Sequence, residues 1–416
     1  MKPEPGRGIV AISAMVRAGA AQESIQTAGL GNFVAQLLLA STRLSSAEKI
    51  AAIADEVGGN IAAQWTQDFT EIRAVTTAAN YNRAMSLIGE CLTEANFESR
   101  WVELVRESLL QQRQAGSDDI SQNAYNDLRT MLYEDNGYKR PSLGSERVIR
   151  LATPKDLQTF YSRYYVPNNT VICVVGDVTV EHALDRVRKA YAGVRARKLP
   201  IDRGVPDEEL DHSKFQASEA DLPLAYLVVG WLAPGVQSQD FPALLVAANA
   251  LGGGKGSFMF QELRQKRGIA YDLGIMYPRF KYQSHLIARI LTDPFKTSLP
   301  GLNPEPMLQE IKNALLAQVD RLKRETLAAD ELERAKGFTI GTHALQHQHI
   351  ADRAFHLAWM EAIGVGFEYD SSFADAVEKI SAADVQRAAN KYLTNYAALL
   401  LLPRVESPES VEESQY

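Results

Sequence analysis

Between residues 28 and 42, in AGLGNFVAQLLLAST, the apolar positions Leu30, Phe33, Val34, Leu37 and Leu38 recur at i, i+3, i+4, i+7 and i+8. That spacing lines one face of an α-helix. The intervening Asn32, Ala35 and Gln36 fall on other positions of the same helix. Elsewhere the pattern shortens to compact apolar runs: GIVAISAMVRAG, FTEIRAVTT, NTVICVVGDV, AYLVVGWL, SHLIARILT and AALLLLP. Runs of this length, rich in β-branched residues, predict strands. They alternate with long helical stretches, and the mixture predicts an α+β fold with helices packed on mostly antiparallel sheets.

The pattern also repeats. TPKDLQTFYSRYYVPNNTVICVV, from Thr153, parallels SAADVQRAANKYLTNYAALLLLP, from Ser381. At one fixed offset Asp156 meets Asp384, Leu157 meets Val385, Gln158 meets Gln386 and Tyr164 meets Tyr392. Each copy reads as a capped helix, a turn and a buried strand, with Thr153 and Ser381 as N-caps and Pro154 at the first helical position. Two duplicated domains follow, 1–198 and 215–405. Between them 199–214, charged and carrying prolines, reads as a linker, and the acidic tail 406–416 reads as disordered.

Composition narrows the function. Of 416 residues, 46% are hydrophobic and 23% charged, as in an ordinary globular protein. A formal charge of -7 argues against a nucleic-acid surface. No apolar run approaches the ~18 residues that a membrane span needs. Cys91 and Cys173 make no disulfide framework, and Cys173 sits in an apolar run as a small buried hydrophobe. No leader is visible before GIVAISAMV. Cytoplasm and periplasm both stay open.

Four segments carry a family resemblance: AMVRAGAAQE before the glycine turn and helix, ADEVGGNIAAQWTQDFT, YYVPNNTVICVVGDV and LGGGKGSFMFQELRQKRGIAY. In order and content the chain resembles the pitrilysin/insulinase-type zinc metallopeptidases, which include the mitochondrial processing peptidases and the respiratory-complex core proteins. The resemblance covers nearly the whole chain and implies a further first strand upstream of it. In active members the helix after the glycine turn carries an inverted zinc motif, H-x-x-E-H, and a glutamate on a later helix completes the ligands. The matching positions here are Asn32, Ala35 and Gln36, with Gln112 in the later place. An amide is a poor zinc ligand beside imidazole or carboxylate, and alanine cannot act as a base. The seven histidines all lie at or after His182, so no imidazole in the first 181 residues can compensate. No metal or other cofactor is expected in this chain.

LGGGKGS fails the phosphate-loop pattern, because Lys255 is followed by Gly256. His343 and His347 have ligand spacing on a helix, but no acidic neighbour in sequence; the pair reads as a helical surface or interface face. Arg264 and Tyr271 stand seven residues apart, and the resemblance marks such a pair as a grip on substrate near the scissile bond. A guanidinium offers a fork of donors to a peptide carbonyl or carboxylate, and a phenol can donate to a developing oxyanion. The resemblance also sets Gly252, Gly253 and Gly254 at the edge of the substrate chamber, where their bare backbone admits close approach. It places an edge strand for the peptide in GGNIAAQWTQDFT, with Ala62 and Trp65 standing where Asn and Thr are expected.

The expectation is a non-catalytic, peptide-binding subunit of a heteromeric zinc metallopeptidase. Its partner is a homologous zinc-bearing subunit, to whose active site it supplies Arg264 and Tyr271 in trans. The alternatives are a scaffold subunit like the respiratory core proteins and a homodimeric peptide-binding protein.

Overall fold

The computed structural model describes residues 1–116, 119–202, 204–205, 207–293 and 305–404. Among the described residues, ten strands form two five-stranded sheets. The first holds β1 (Lys2–Pro3), β2 (Ile9–Val16), β3 (Ile61–Trp65), β4 (Thr70–Thr77) and β5 (Thr170–Gly176) in the order β1-β5-β2-β4-β3. The second holds β6 (Lys214–Ala220), β7 (Ala225–Ala233), β8 (Asp272–Met276), β9 (Ser284–Thr292) and β10 (Ala397–Pro403) in the order β6-β10-β7-β9-β8. Strand for strand the two orders are the same. In each sheet one edge strand runs parallel to its neighbour and the other pairs are antiparallel. The α+β duplication expected from the repeat is therefore present in the topology.

The repeat holds at its caps. Thr153 Oγ1 accepts from the Asp156 N–H at 3.3 Å, and Asp156 Oδ2 accepts from the Thr153 N–H at 2.9 Å. Ser381 and Asp384 make the same reciprocal box at 3.2 and 3.0 Å. Each box satisfies two N–H groups that a helix start otherwise leaves unpaired.

All nine residues of β7 are buried, and seven of the eight of β2. Such strands need cover on both faces. In β2, Val10, Ile12, Ala14 and Val16 face the helices of the first half, whereas Ala11 and Met15 join the core that contains helix Ile350–Ala362 of the second half. In β7, Tyr226, Val228 and Leu232 face helix Ile120–Leu132 of the first half, which contributes Ala124, Leu128 and Leu132. Each half thus lends a helix to the other's sheet. His285 of β9 fastens one of these loans: Tyr125 and Tyr133 lie 3.0 and 2.9 Å from its two ring nitrogens, and burial pushes its pKa down to about 3.

Two expectations need amendment. The first strand is not wholly upstream: Lys2 and Pro3 pair with Val175 and Gly176 of β5, as β6 pairs with β10. The linker, where described, is tied down, with Asp202 bonded to Lys281 at 2.6 Å and Glu208 accepting from the N–H groups of Glu134 and Asp135. The tail 406–416 lies outside the described residues.

Candidate functional site

The helix singled out by its apolar face spans Leu30–Leu37. Its first turn is built on a charge. Gly29, at φ 108°, turns the chain into the helix, and the Glu23 carboxylate accepts from the N–H groups of Gly29 and Gly31 at 2.9 and 2.7 Å. An anion at a helix start is favoured by the helix dipole. Burial works against it and pushes the Glu23 pKa up to about 7. Sequence patterning did not single out Glu23, because one carboxylate at the end of AGAAQE has no spacing to betray it.

The expected face is buried throughout: Leu30, Phe33, Val34, Leu37 and Leu38. Of the positions where a zinc site would stand, Asn32 is buried with its Nδ2 making no hydrogen bond, Ala35 is buried, and Gln36 is exposed. Helix Ser99–Gly116 packs alongside, with the Arg106 guanidinium 5.5 Å from the Phe33 ring centre. On that helix Gln112 is exposed and donates to Ser108 Oγ at 3.2 Å. Two carboxamides on one helix, a third on its neighbour and a methyl group in the base position offer no anionic or imidazole donor. This donor set does not fit zinc.

Strand β3 is the free edge of its sheet, paired with β4 alone. Gly58 and Gly59, at φ 114° and 70°, turn the chain into it, conformations that L side chains rarely adopt. Its last residue, Trp65, packs over Gly31 of the helix start.

In the second half, Arg264 lies in a π-helical stretch, Phe260–Lys266, and Tyr271 immediately precedes β8. The chain folds back between them, the Ile269 N–H donating to Leu263 O at 2.9 Å, so one local structure carries both. Arg264 is exposed, its guanidinium 5.5 Å from the Phe260 ring centre. Tyr271 is anchored by its N–H to Leu291 O at 2.9 Å and keeps 44% of its surface exposed.

The glycine loop adjoins this unit, and its bare backbone is used inside the domain. A Cβ on Gly252 would come within 2.8 Å of the Ile275 Cβ on β8. Gly254, at φ 74°, faces the Phe338 ring in the same way, and Arg334 donates to Gly253 O at 3.3 Å. The glycines let helix Phe241–Gly252, helix Ala329–Leu345 and β8 close on one another.

The histidine pair departs from expectation. The helix ends at Leu345, so His347 lies beyond it, and His343 is buried. Neither belongs to an open face. Asp370, on helix Tyr369–Glu378, supplies the acidic neighbour that the local sequence lacks, 2.8 Å from His347 Nε2 and 3.5 Å from His343 Nε2.

Comparison with known proteins is consistent with this arrangement. A family profile described as insulinase, peptidase family M16, matches residues 2–146, and one described as the peptidase M16 inactive domain matches 152–337. Uncharacterized zinc proteases of Mycobacterium bovis and Mycobacterium tuberculosis are 27% identical over 264 residues, 63% of this chain. The match spans 60% of the length of those relatives. In fold, the chain resembles a Helicobacter pylori protease with a TM-score of 0.85, 20% identity and 96% of each chain covered. It also resembles a peptidase M16 inactive domain of Pseudomonas fluorescens, with a TM-score of 0.82, 18% identity, and 97% and 94% of the chains covered. Among the described residues, no helix is long and apolar enough to cross a membrane.

Proposed function

The chain belongs to the M16 peptidase family as a member without the zinc motif, and on that premise we propose that it is the peptide-binding, non-catalytic subunit of a heteromeric zinc peptidase. One contrast carries the reading. The zinc positions hold Asn32, Ala35, Gln36 and Gln112, whereas Arg264 and Tyr271 persist on one exposed unit of the other half. A protein that performs its own hydrolysis has no use for the second feature without the first.

In this assignment the partner, a homologous chain, brings zinc and general base. Tyr271 donates its hydroxyl to the oxyanion that develops at the scissile carbonyl. Arg264 fixes a substrate carbonyl or carboxylate with its planar fork. The open edge of β3 receives peptide by strand addition, and the loop Gly252–Gly254 borders the chamber.

The scaffold alternative draws on one observation, the apolar Ala62 and Trp65 on β3, which offer peptide fewer polar contacts. The test is to mix the chain with a homologous subunit that carries H-x-x-E-H. Assembly by gel filtration and peptide cleavage by the mixture alone, with neither chain active by itself, is the expected outcome. An assembled pair without cleavage would favour the scaffold. Self-association in place of assembly would favour the homodimeric binder.

A further inference from the structure

The His343–His347–Asp370 cluster calls for a cation that a neutral His347 does not supply. His347 Nδ1 lies 2.7 Å from the His343 carbonyl oxygen. A carbonyl only accepts, so Nδ1 carries the proton, and in a neutral imidazole Nε2 is then a bare lone pair. That lone pair faces Asp370 Oδ1 at 2.8 Å. Two acceptors hold such a separation when a cation lies between or beside them. His343 adds a further donor: its Nε2 is 3.5 Å from the same Oδ1, while its buried Nδ1 makes no hydrogen bond.

We propose that His343, His347 and Asp370 bind a divalent transition-metal ion of the zinc class. One ligand atom from each converges within 4.8 Å of the others. Donors about 2.0–2.1 Å from a tetrahedral zinc stand roughly 3.3 Å apart, so small side-chain rotations close the set. Two imidazoles and a carboxylate suit zinc, cobalt or nickel, not magnesium or calcium. The Nδ1–H of His347 on a backbone carbonyl is the outer hydrogen bond that orients metal-bound histidines. A cavity of about 330 Å³ borders Asp370, with Phe367, Glu368 and Ser371 in its wall. The His356 ring stacks on His347 with centroids 4.5 Å apart.

The site is a clip. His343 and His347 close the end of one helix, Asp370 opens another, and His356 lies on helix Ile350–Ala362, which covers the first sheet. Arg279 acts on the cluster with its positive charge and opposes a second cation. An affinity below that of a structural zinc finger is therefore expected.

The test uses the full chain, purified without a polyhistidine tag and stripped with chelator. Cobalt titration should give one ion per chain with visible d–d absorption, displaced by zinc, and saturating zinc should raise the melting temperature. Asp370→Asn and His347→Gln, both near the surface, should keep the far-ultraviolet circular dichroism of the wild type. Each should weaken cobalt binding at least about 100-fold, since even outer-shell changes cost 10–100-fold. No uptake by the wild type would overturn the proposal. Uptake unchanged in both variants would place the metal elsewhere and overturn it as well.

Discussion

The indole of Trp65 fills the space that a Cβ on Gly31 would need, and its buried Nε1 makes no hydrogen bond. The strand that would receive peptide is thereby pressed onto the first turn of the helix that would hold metal. Glu23 Oε1 and the Phe160 ring bound the same spot, each 3.1 Å from the Cβ position.

Gly31→Ala should therefore destabilise the chain, although alanine is the better helix former. Overpacking of this kind costs about 1–3 kcal/mol. In a Trp65→Ala background the penalty should shrink but not vanish, because Glu23 and Phe160 remain. Urea denaturation midpoints of the four proteins give the coupling. An equal penalty in both backgrounds would show that Trp65 is not what excludes the methyl group.

The legibility of this fold follows burial. Strands β2, β4, β5, β7, β9 and β10 have neighbours on both sides within their sheets, and each was readable as an apolar run. The other four are edges. β1 has two residues, and β6, KFQASEA, is exposed along most of its length, so neither leaves a hydrophobic signature. β3 was legible only through the family resemblance, because Ile61–Trp65 alternates weakly. The site shows the same division. Asn32, Ala35 and Gln36 are read by counting along one helix, and the Arg264–Tyr271 unit by its flanking motif. Asp370 lies 23 residues beyond His347 on another helix, and no spacing rule joins them.

Glu23 contributes to the pH dependence of stability with a definite sign. Its carboxyl titrates near 4.5 when the chain is unfolded and near 7 when it is folded. The folded state binds the extra proton between these values, so the Glu23 contribution to stability falls as pH rises from about 4.5 to 7, by on the order of 3 kcal/mol. His285, held down to about 3 by burial, contributes the opposite sign up to about pH 6.5. Asp68, accepting from Tyr138 and from the Lys281 N–H, is pushed up to about 6 by burial and adds the same sign as Glu23 below that pH. Glu23→Gln should flatten thermal-melting curves most clearly between pH 6 and 7. A variant that keeps the full wild-type slope there would remove Glu23 as its source.

Rebuilding the lost motif should restore less than the motif implies. Asn32→His, Ala35→Glu, Gln36→His and Gln112→Glu together supply a zinc donor set. The residues around Asn32 were not kept to orient a ligand, since its Nδ2 is buried without a partner. Made in an Asp370→Asn background, so that metal at the histidine clip is not counted, the quadruple variant should take up zinc with little peptidase activity. Robust cleavage by the quadruple variant alone, inhibited by 1,10-phenanthroline, would mean that the supporting shell survived.

Tyr271 and Arg264 offer the sharpest separation between subunit and scaffold. Tyr271→Phe removes one hydroxyl and keeps the backbone N–H bond to Leu291 O that ties the residue to β9. The fold and the assembly should be unaffected. Loss of one oxyanion donor should lower kcat of the assembled pair by about 100- to 1,000-fold with KM little changed. Arg264→Ala should raise KM as well, because a charge-assisted contact to substrate is lost. Neither residue accounts for more than a small part of a subunit interface of ordinary size, so gel filtration should show intact complexes in both cases. If both complexes assemble and cleave at the wild-type rate, the pair has no part in the reaction, and the chain serves its partner as a scaffold.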